Sequence, residues 1–324
     1  MRIIRAPMPS VLFSALATAL ASLAVPFNHG PGTSGGGSST ESGETLRAGA
    51  FSFQLRSDFT QYESISRTEA EQHGLTNGEF DAIESTFVET AVLAYGVTDD
   101  FQVGASIGHY WGQNFIEAEA DGLGGVESAT ADPSGLTDMW LTGKYRVMRG
   151  ASGHLALLAG VKLPTGDDNE HLSNGEKLEP SSQPGTGAVD FQAGVAYSRY
   201  LTSRVTLDAS MAYTLRGEHD DFTVGDRFDA GVALAYRLTE DVKQFPNYSV
   251  STELLGNWLG KDDDAGVDND SSGGTTTYLA VGLRARFDEH IALTVAPALP
   301  LTQDLNGDQV ETRGKLSVAL GFSF

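Results

Sequence analysis

Lys315-Leu316-Ser317-Val318-Ala319-Leu320-Gly321-Phe322-Ser323-Phe324 decides how the rest of the chain is read. Successive side chains of an extended strand point to opposite sides. Leu316, Val318, Leu320, Phe322 and Phe324 therefore share one face, and Lys315, Ser317, Ala319, Gly321 and Ser323 share the other. A strand of about ten residues, apolar on one face and small or polar on the other, is the unit of transmembrane β-barrels. A half-buried strand of a soluble sheet alternates in the same way, so the remaining sequence has to separate the two.

At the other end, Arg2 and Arg5 precede an Ala-rich apolar run from Val11 to Val25, with small residues at Ala19, Ala21 and Ala24. This pattern predicts a secretory signal peptide over residues 1–24. The run is too short for a comfortable membrane anchor. A Gly/Ser-rich stretch from His29 to Thr40 follows, so residues 25–45 read as a flexible periplasmic tail and 46–324 as the folded barrel. The chain has no cysteine, which excludes lipoprotein acylation, disulfides and thiolate metal sites. Its formal charge of −22 becomes about −24 once Arg2 and Arg5 leave, and so acidic a chain is a poor partner for nucleic acid. Mean hydropathy is −0.18 and no apolar helical span follows the signal. A helical membrane protein is excluded on that ground, whereas a barrel is not, because its strands average to modest hydropathy.

Twelve alternating stretches can be counted, at residues 46–60, 79–95, 101–112, 135–148, 153–166, 187–201, 204–216, 225–238, 248–260, 275–287, 290–301 and 310–324. The even count places both termini in the periplasm. Connections after the even-numbered stretches are mostly tight, such as Thr202-Ser203 and Asp288-Glu289. Those after the odd-numbered stretches are long and polar, such as Gln61–Gly78 and Gln113–Ser134. A soluble sandwich has no reason to sort its connections by parity; an outer-membrane barrel does. Tyr95, Tyr110, Trp111, Tyr145, Tyr197, Tyr200 and Trp258 are candidates for interfacial girdles. The faces of 79–95, 248–260 and 290–301 alternate less cleanly and are left unassigned.

Tyr95-Gly96-Val97-Thr98-Asp99-Asp100, Gly143-Lys144-Tyr145-Arg146, Gly160-Val161-Lys162-Leu163-Pro164-Thr165-Gly166, Gly185-Thr186-Gly187 and Leu254-Leu255-Gly256-Asn257-Trp258 occur in this order. On these residues the chain resembles the "MetA-pathway of phenol degradation" group of outer-membrane transporters, from about residue 45 onward. The resemblance implies a Gram-negative outer-membrane barrel, with some members linked by context to uptake of aromatic compounds. It carries over no catalytic or binding residue.

A pore needs a polar lumen, and the inward phase supplies Arg56, Asp58, Asp138, Lys144, Arg146, Lys162, Asp190, Asp208, Arg216, Arg227, Asp229, Arg284, Arg286 and Lys315 as lining candidates. These charges could line a path, or pair across the interior as a structural ladder. The outer connections are strongly acidic, with Asp262-Asp263-Asp264 the densest group. They read as a solvated surface, with a cation-attracting or divalent-bridging mouth as the alternative. Asp304-Leu305-Asn306-Gly307-Asp308 opens like a calcium loop. It has Gln309 where glycine belongs and Lys315 where a bidentate acid belongs, so it reads as a turn and no metal site is assigned.

No cofactor or enzyme is expected either. Only His109 sits high on a strand facing outward, and its same-face neighbours are Ile107 and Trp111 rather than a nucleophile. The leading expectation is an outer-membrane channel or transporter for passive uptake of a small solute, with an aromatic or hydrophobic compound as the candidate. A non-conducting structural or adhesion barrel presenting acidic loops stands as the alternative, and a soluble periplasmic β-sandwich as a third reading. Expected partners are outer-membrane lipid and lipopolysaccharide, the barrel-assembly machinery through the C-terminal strand, and the solute.

Overall fold

Strands with one greasy face need hydrocarbon outside them and every backbone group paired. In the computed structural model twelve long strands meet both needs in one closed antiparallel sheet. They are β1 (Phe51–Tyr62), β2 (Ser85–Thr98), β3 (Phe101–Gln113), β4 (Met139–Gly150), β5 (Gly153–Leu163), β6 (Asp190–Tyr200), β7 (Val205–Leu215), β8 (Arg227–Arg237), β9 (Asn247–Leu259), β10 (Gly274–Arg286), β11 (Ile291–Leu305) and β12 (Thr312–Ser323). The structure describes residues 36–241 and 243–324; the expected signal peptide and residues 25–35 of the expected tail lie outside these.

Closure is made by β1, which pairs with β2 from Phe51–Tyr95 to Gln61–Ser85 and with β12 from Ser52–Ser323 to Tyr62–Thr312. Reciprocal bonds between Phe51 and Phe324, 2.9 and 2.8 Å, finish the seam at the short-turn end. A closed sheet presents no edge, so the third reading, a soluble sandwich, is set aside. Leu55, Leu93, Leu157, Val232, Leu254 and Leu283 face outward on different strands and are 42–58% exposed. In water such an encircling belt would be an aggregation surface; against hydrocarbon it is the stable arrangement.

Each of the twelve expected stretches holds one of these strands, with shifts of a few residues at the ends. Two shifts have a physical cause. The first strand begins at Phe51 rather than 46 because the preceding residues turn into the barrel, with Gly49 at φ 79°. The second begins at Ser85 rather than 79 because Glu79–Ala82 pairs instead with Phe115–Ala120 outside the wall. Tyr110 is a correction to the girdle: it points inward and is fully buried, while Trp111 keeps the outer face and packs on Phe87 and His109.

The outer connections fold into a cap rather than remaining solvated strings. Helix α1 (Arg67–Asn77) opens on a capping box between Ser66 and Glu69. It lies on a three-stranded sheet of Glu79–Ala82, Phe115–Ala120 and Val126–Ala131. Gly74 permits the contact, since a Cβ there would meet Ala118 O at 2.4 Å. Phe80, Ile83, Phe115, Ile116, Leu172 and Leu178 form the buried core beneath, together with Tyr62 and Val310 at the barrel rim. The expected turn at Asp304–Asp308 is tied into the cap, where Asp308 accepts from Asn77 Nδ2 at 2.6 Å and contacts His73.

The belt yields a depth-dependent prediction. Val232→Arg or Leu234→Arg, mid-strand on the lipid face, lowers stability by about 2–4 kcal/mol, whereas Tyr248→Arg near the short-turn interface costs about 1 kcal/mol or less. Urea titration of the protein folded into phospholipid vesicles measures the difference.

Candidate functional site

The lumen is occupied by the chain itself. Residues 36–46 enter from the short-turn rim and climb to mid-height. Thr45 Oγ1 donates to Asp99 O at 2.7 Å and Leu46 N to Gln102 Oε1 at 2.8 Å at the rim. Gly43 N donates to Ser198 Oγ at 2.8 Å, and Glu41 N to Ser210 Oγ at 3.1 Å. Above them the Glu253 carboxylate collects the backbone N–H groups of Ser38, Ser39 (3.0 Å) and Thr40 (2.9 Å), together with Thr40 Oγ1 (3.0 Å). Gly37 N donates to Asp208 Oδ2 at 3.0 Å while its carbonyl accepts from Arg284 at 3.1 Å.

The flexible periplasmic tail expected for 25–45 is thus not what residues 36–45 form. Their glycines answer to space. A Cβ on Gly37 would lie 2.8 Å from Ala233 Cβ and 2.7 Å from Glu253 Oε2, and one on Gly43 would lie 2.2 Å from His154 O. Between this segment and the wall, a cavity lined by Thr40, Glu41, Asp229, Gly231 and Leu255 measures about 20 Å³. That is room for a water and too little for an aromatic ring.

All fourteen lining candidates stand in the inward phase, in distinct groups. Toward the outer end, Lys162 bridges Asp138 (3.2 Å) and Asp190 (2.8 Å), and Arg216 joins Asp190 at 2.9 Å. Asp138 also accepts from the N–H groups of Thr165, Gly166 and Thr186, which staples the wall at the foot of β4 to the 164–189 connection. Arg56 with Asp58 and Arg227 with Asp229 are two-pronged pairs within one strand. Asp208 and Arg284 grip the internal segment, and buried Lys144 sits in the field of Glu41, Glu44 and Asp208. At the short-turn rim Arg146 pairs with Asp100 at 2.7 Å, and Arg286 lies 5.5 Å over the Phe245 ring. Lys315 stands apart, its Nζ 4.4 Å over the Tyr278 ring.

Sequence reasoning missed Glu253, which is fully buried. A signal was present: Ser251, Glu253 and Asn257 share a phase opposite Thr252, Leu254 and Trp258, but inward-facing Leu255 masks it.

In the cap, Glu79, Asp81 and Glu117 bring carboxylate oxygens within 4.8 Å of one another. Burial, reinforced by Glu176 and Glu119, pushes the Glu117 carboxyl up to about 7. Burial also raises Asp262 to about 7, against the Gly225 N–H that it accepts. Asp262 is wholly buried, so the expectation of a solvated Asp262–Asp264 run fails at its first residue.

A sequence profile of the family described as "Putative MetA-pathway of phenol degradation" matches residues 29–297. The COG4313 outer membrane channel from Pseudomonas putida F1 is similar at a TM-score of 0.60 and 16% identity, covering 87% of this chain and 97% of that one. KdgM porin follows at 0.43 and 9%, covering 84% and 99%. The toluene transporter TodX of Pseudomonas putida stands at 0.42 and 9%, covering 86% and 90%. A search of curated protein sequences finds no match. The likeness to the COG4313 channel shows the fold.

Two predictions arise here. Glu253→Ala leaves three N–H groups and a hydroxyl without their acceptor, which weakens anchoring by about 3 kcal/mol. The docked-to-undocked ratio of the segment then falls roughly a hundredfold. Larger ion conductance in planar bilayers and proteolytic cleavage within 36–45 are the expected readouts. In the cap, Glu117 and Asp262 hold protons that the unfolded loops release between about pH 4 and 7, because their folded values lie above the ordinary 4.5 and 3.8. Cap stability therefore falls as pH rises through that window. Hydrogen-exchange protection factors of 115–131 and 260–273 will be higher at about pH 5 than at about pH 8, and Glu117→Gln will remove most of the difference in 115–131.

Proposed function

The chain belongs to the family described as "Putative MetA-pathway of phenol degradation", and from that premise and its lumen we propose that it passes a small aromatic or hydrophobic solute passively across a Gram-negative outer membrane. The observation that carries the reading is the internal segment. The lumen is polar and enclosed, yet what fills it is a thread held by hydrogen bonds and close packing, which thermal motion or a solute can displace. The cavity beside Thr40 and Leu255, about 20 Å³, is smaller than such a solute, so passage requires the segment to rearrange. No energy source or chemical step is assigned to the protein. The aromatic class comes from the family description.

The fourteen lining candidates then have two roles. Paired groups such as Lys162 with Asp138 and Asp190 hold the wall and connections in register. Asp208 and Arg284, together with Glu253, set how readily the segment yields. The cap with its own apolar core favours a second reading, a non-conducting barrel that displays an acidic folded surface.

One experiment separates the two. Outer-membrane vesicles containing lipopolysaccharide, with and without the native protein, are given N-phenylnaphthylamine, an apolar aromatic that fluoresces on entering hydrocarbon. Passive uptake predicts several-fold faster entry with the protein and no dependence on an energy source. Equal rates, with the protein folded and heat-modifiable, leave the display reading in its place.

A further inference from the structure

Four inward arginines are each matched with an aspartate: Arg56 with Asp58, Arg146 with Asp100, Arg216 with Asp190 and Arg227 with Asp229. Three others break that rule. Arg237 on β8, and Arg284 and Arg286 on β10, form no ion pair among the described residues. In a chain of formal charge −22, an unmatched group of three cations on one face is a local reversal of sign.

The register gathers the three at the short-turn end. Arg237 opposes Ser249 on β9, and Ser249 opposes Arg284, so these two arginines share a row across a small side chain, roughly 10 Å apart. Arg286 is the next inward residue toward the mouth and opposes Asn247. Their partners are neutral. Arg284 donates to Thr294 Oγ1 and Gly37 O, both at 3.1 Å, and Arg237 to Ser203 O at 2.6 Å. The Nε groups of Arg237 and Arg286 are shut off from water and have no hydrogen-bond partner among the described residues. Arg286 stands in the field of Glu289, Tyr200 and Arg237. A buried donor left unmade is costly, and more so beside a like charge. An oxyanion between Arg237 and Arg286 removes both costs together.

Aromatic rings stand beside these charges. The Phe245 ring centroid lies 5.5 Å from the Arg286 guanidinium carbon. Tyr200 shares the inward phase of Ser198 rather than joining the girdle, and it stands in the field of both Arg237 and Arg286. We propose that Arg237 and Arg286 form an anion site at the short-turn mouth that takes the carboxylate of a small aromatic acid, with Arg284 adding charge and Phe245 and Tyr200 flanking the ring. The inference rests on the transport reading for the ligand's role, and it gives that solute an acidic end. A carboxylate accepts from Nε and a terminal nitrogen of one guanidinium together, a two-pronged match that an uncharged ring cannot make. The ring of the same molecule lies against Phe245 or over a guanidinium face, which a ringless acid cannot do.

Binding is measured without any transport step. The native protein in zwitterionic detergent is titrated with 4-fluorobenzoate at about pH 7, where guanidinium and carboxylate are both charged. Bound ligand is read by fluorine NMR against empty micelles. Saturable binding that benzoate displaces is the expected result. Arg237→Gln with Arg286→Gln weakens it about tenfold or more. Arg204→Gln with Lys243→Gln, which removes two charges from turns at the same end, shifts it less than about twofold. Folding is judged by heat-modifiable migration, and Arg286→Gln alone gives the same direction if the pair does not fold. The uncharged 4-fluorobenzamide and the ringless fluoroacetate each bind about tenfold more weakly than 4-fluorobenzoate. The site is overturned by a native protein with no saturable binding, or by either control ligand binding as tightly as 4-fluorobenzoate. It is equally overturned if losing Arg237 and Arg286 weakens binding no more than losing Arg204 and Lys243. The transport reading fails on a different result, N-phenylnaphthylamine entry that the protein does not speed, whatever 4-fluorobenzoate does.

Discussion

Closure of the hydrogen-bonded sheet is the constraint from which the rest of this molecule follows. In hydrocarbon an unpaired backbone group has nothing to bond to, so β1 must find both β2 and β12. Once the ring is closed, the two-residue period sends one face of every strand to lipid and the other to a shared interior. The alternating polar residues are thereby collected into one confined space, where charges have to be neutralised close to where they stand.

That confinement explains the pairing inside. Arg56 with Asp58, Arg227 with Asp229, and the Asp138–Lys162–Asp190–Arg216 chain satisfy one another across short distances. These groups brace the wall, while Glu253, Asp208 and Arg284 hold a strip of backbone that has no regular structure of its own. A strip so held is anchored by hydrogen bonds rather than by an apolar core of its own.

The same constraint bears on the places where pairing lapses. Around most of the wall the ladders are continuous, and at β3–β4 the short strand Ser134–Leu136 mends the defect. At β11–β12, beside Pro297 and Pro300, the Gln303 side-chain amide does that work by bonding Thr312.

The strand alternation, the parity of the connections and the phase of the charges depend only on neighbours along the chain. They were therefore legible in the sequence: twelve strands, the outer face of those that alternate cleanly, and the inward phase of their charges. What depended on contacts far apart was not. The run Gly36 to Thr45 has the composition of a flexible linker, and only the width of the lumen reveals that glycine is there for lack of room and Ser/Thr for bonding. Helix α1 buries little beyond Ala70 and Gly74, so it carries no apolar stripe to mark it within the Gln61–Gly78 connection. Glu253 was hidden by Leu255, and the upward shift of Glu117 and Asp262 depends on burial by loops distant in the chain. Local periodicity thus determined the barrel. Which of its polar residues meet, and what lies within them, was decided by tertiary structure, because burial and long-range pairing have no period in the sequence.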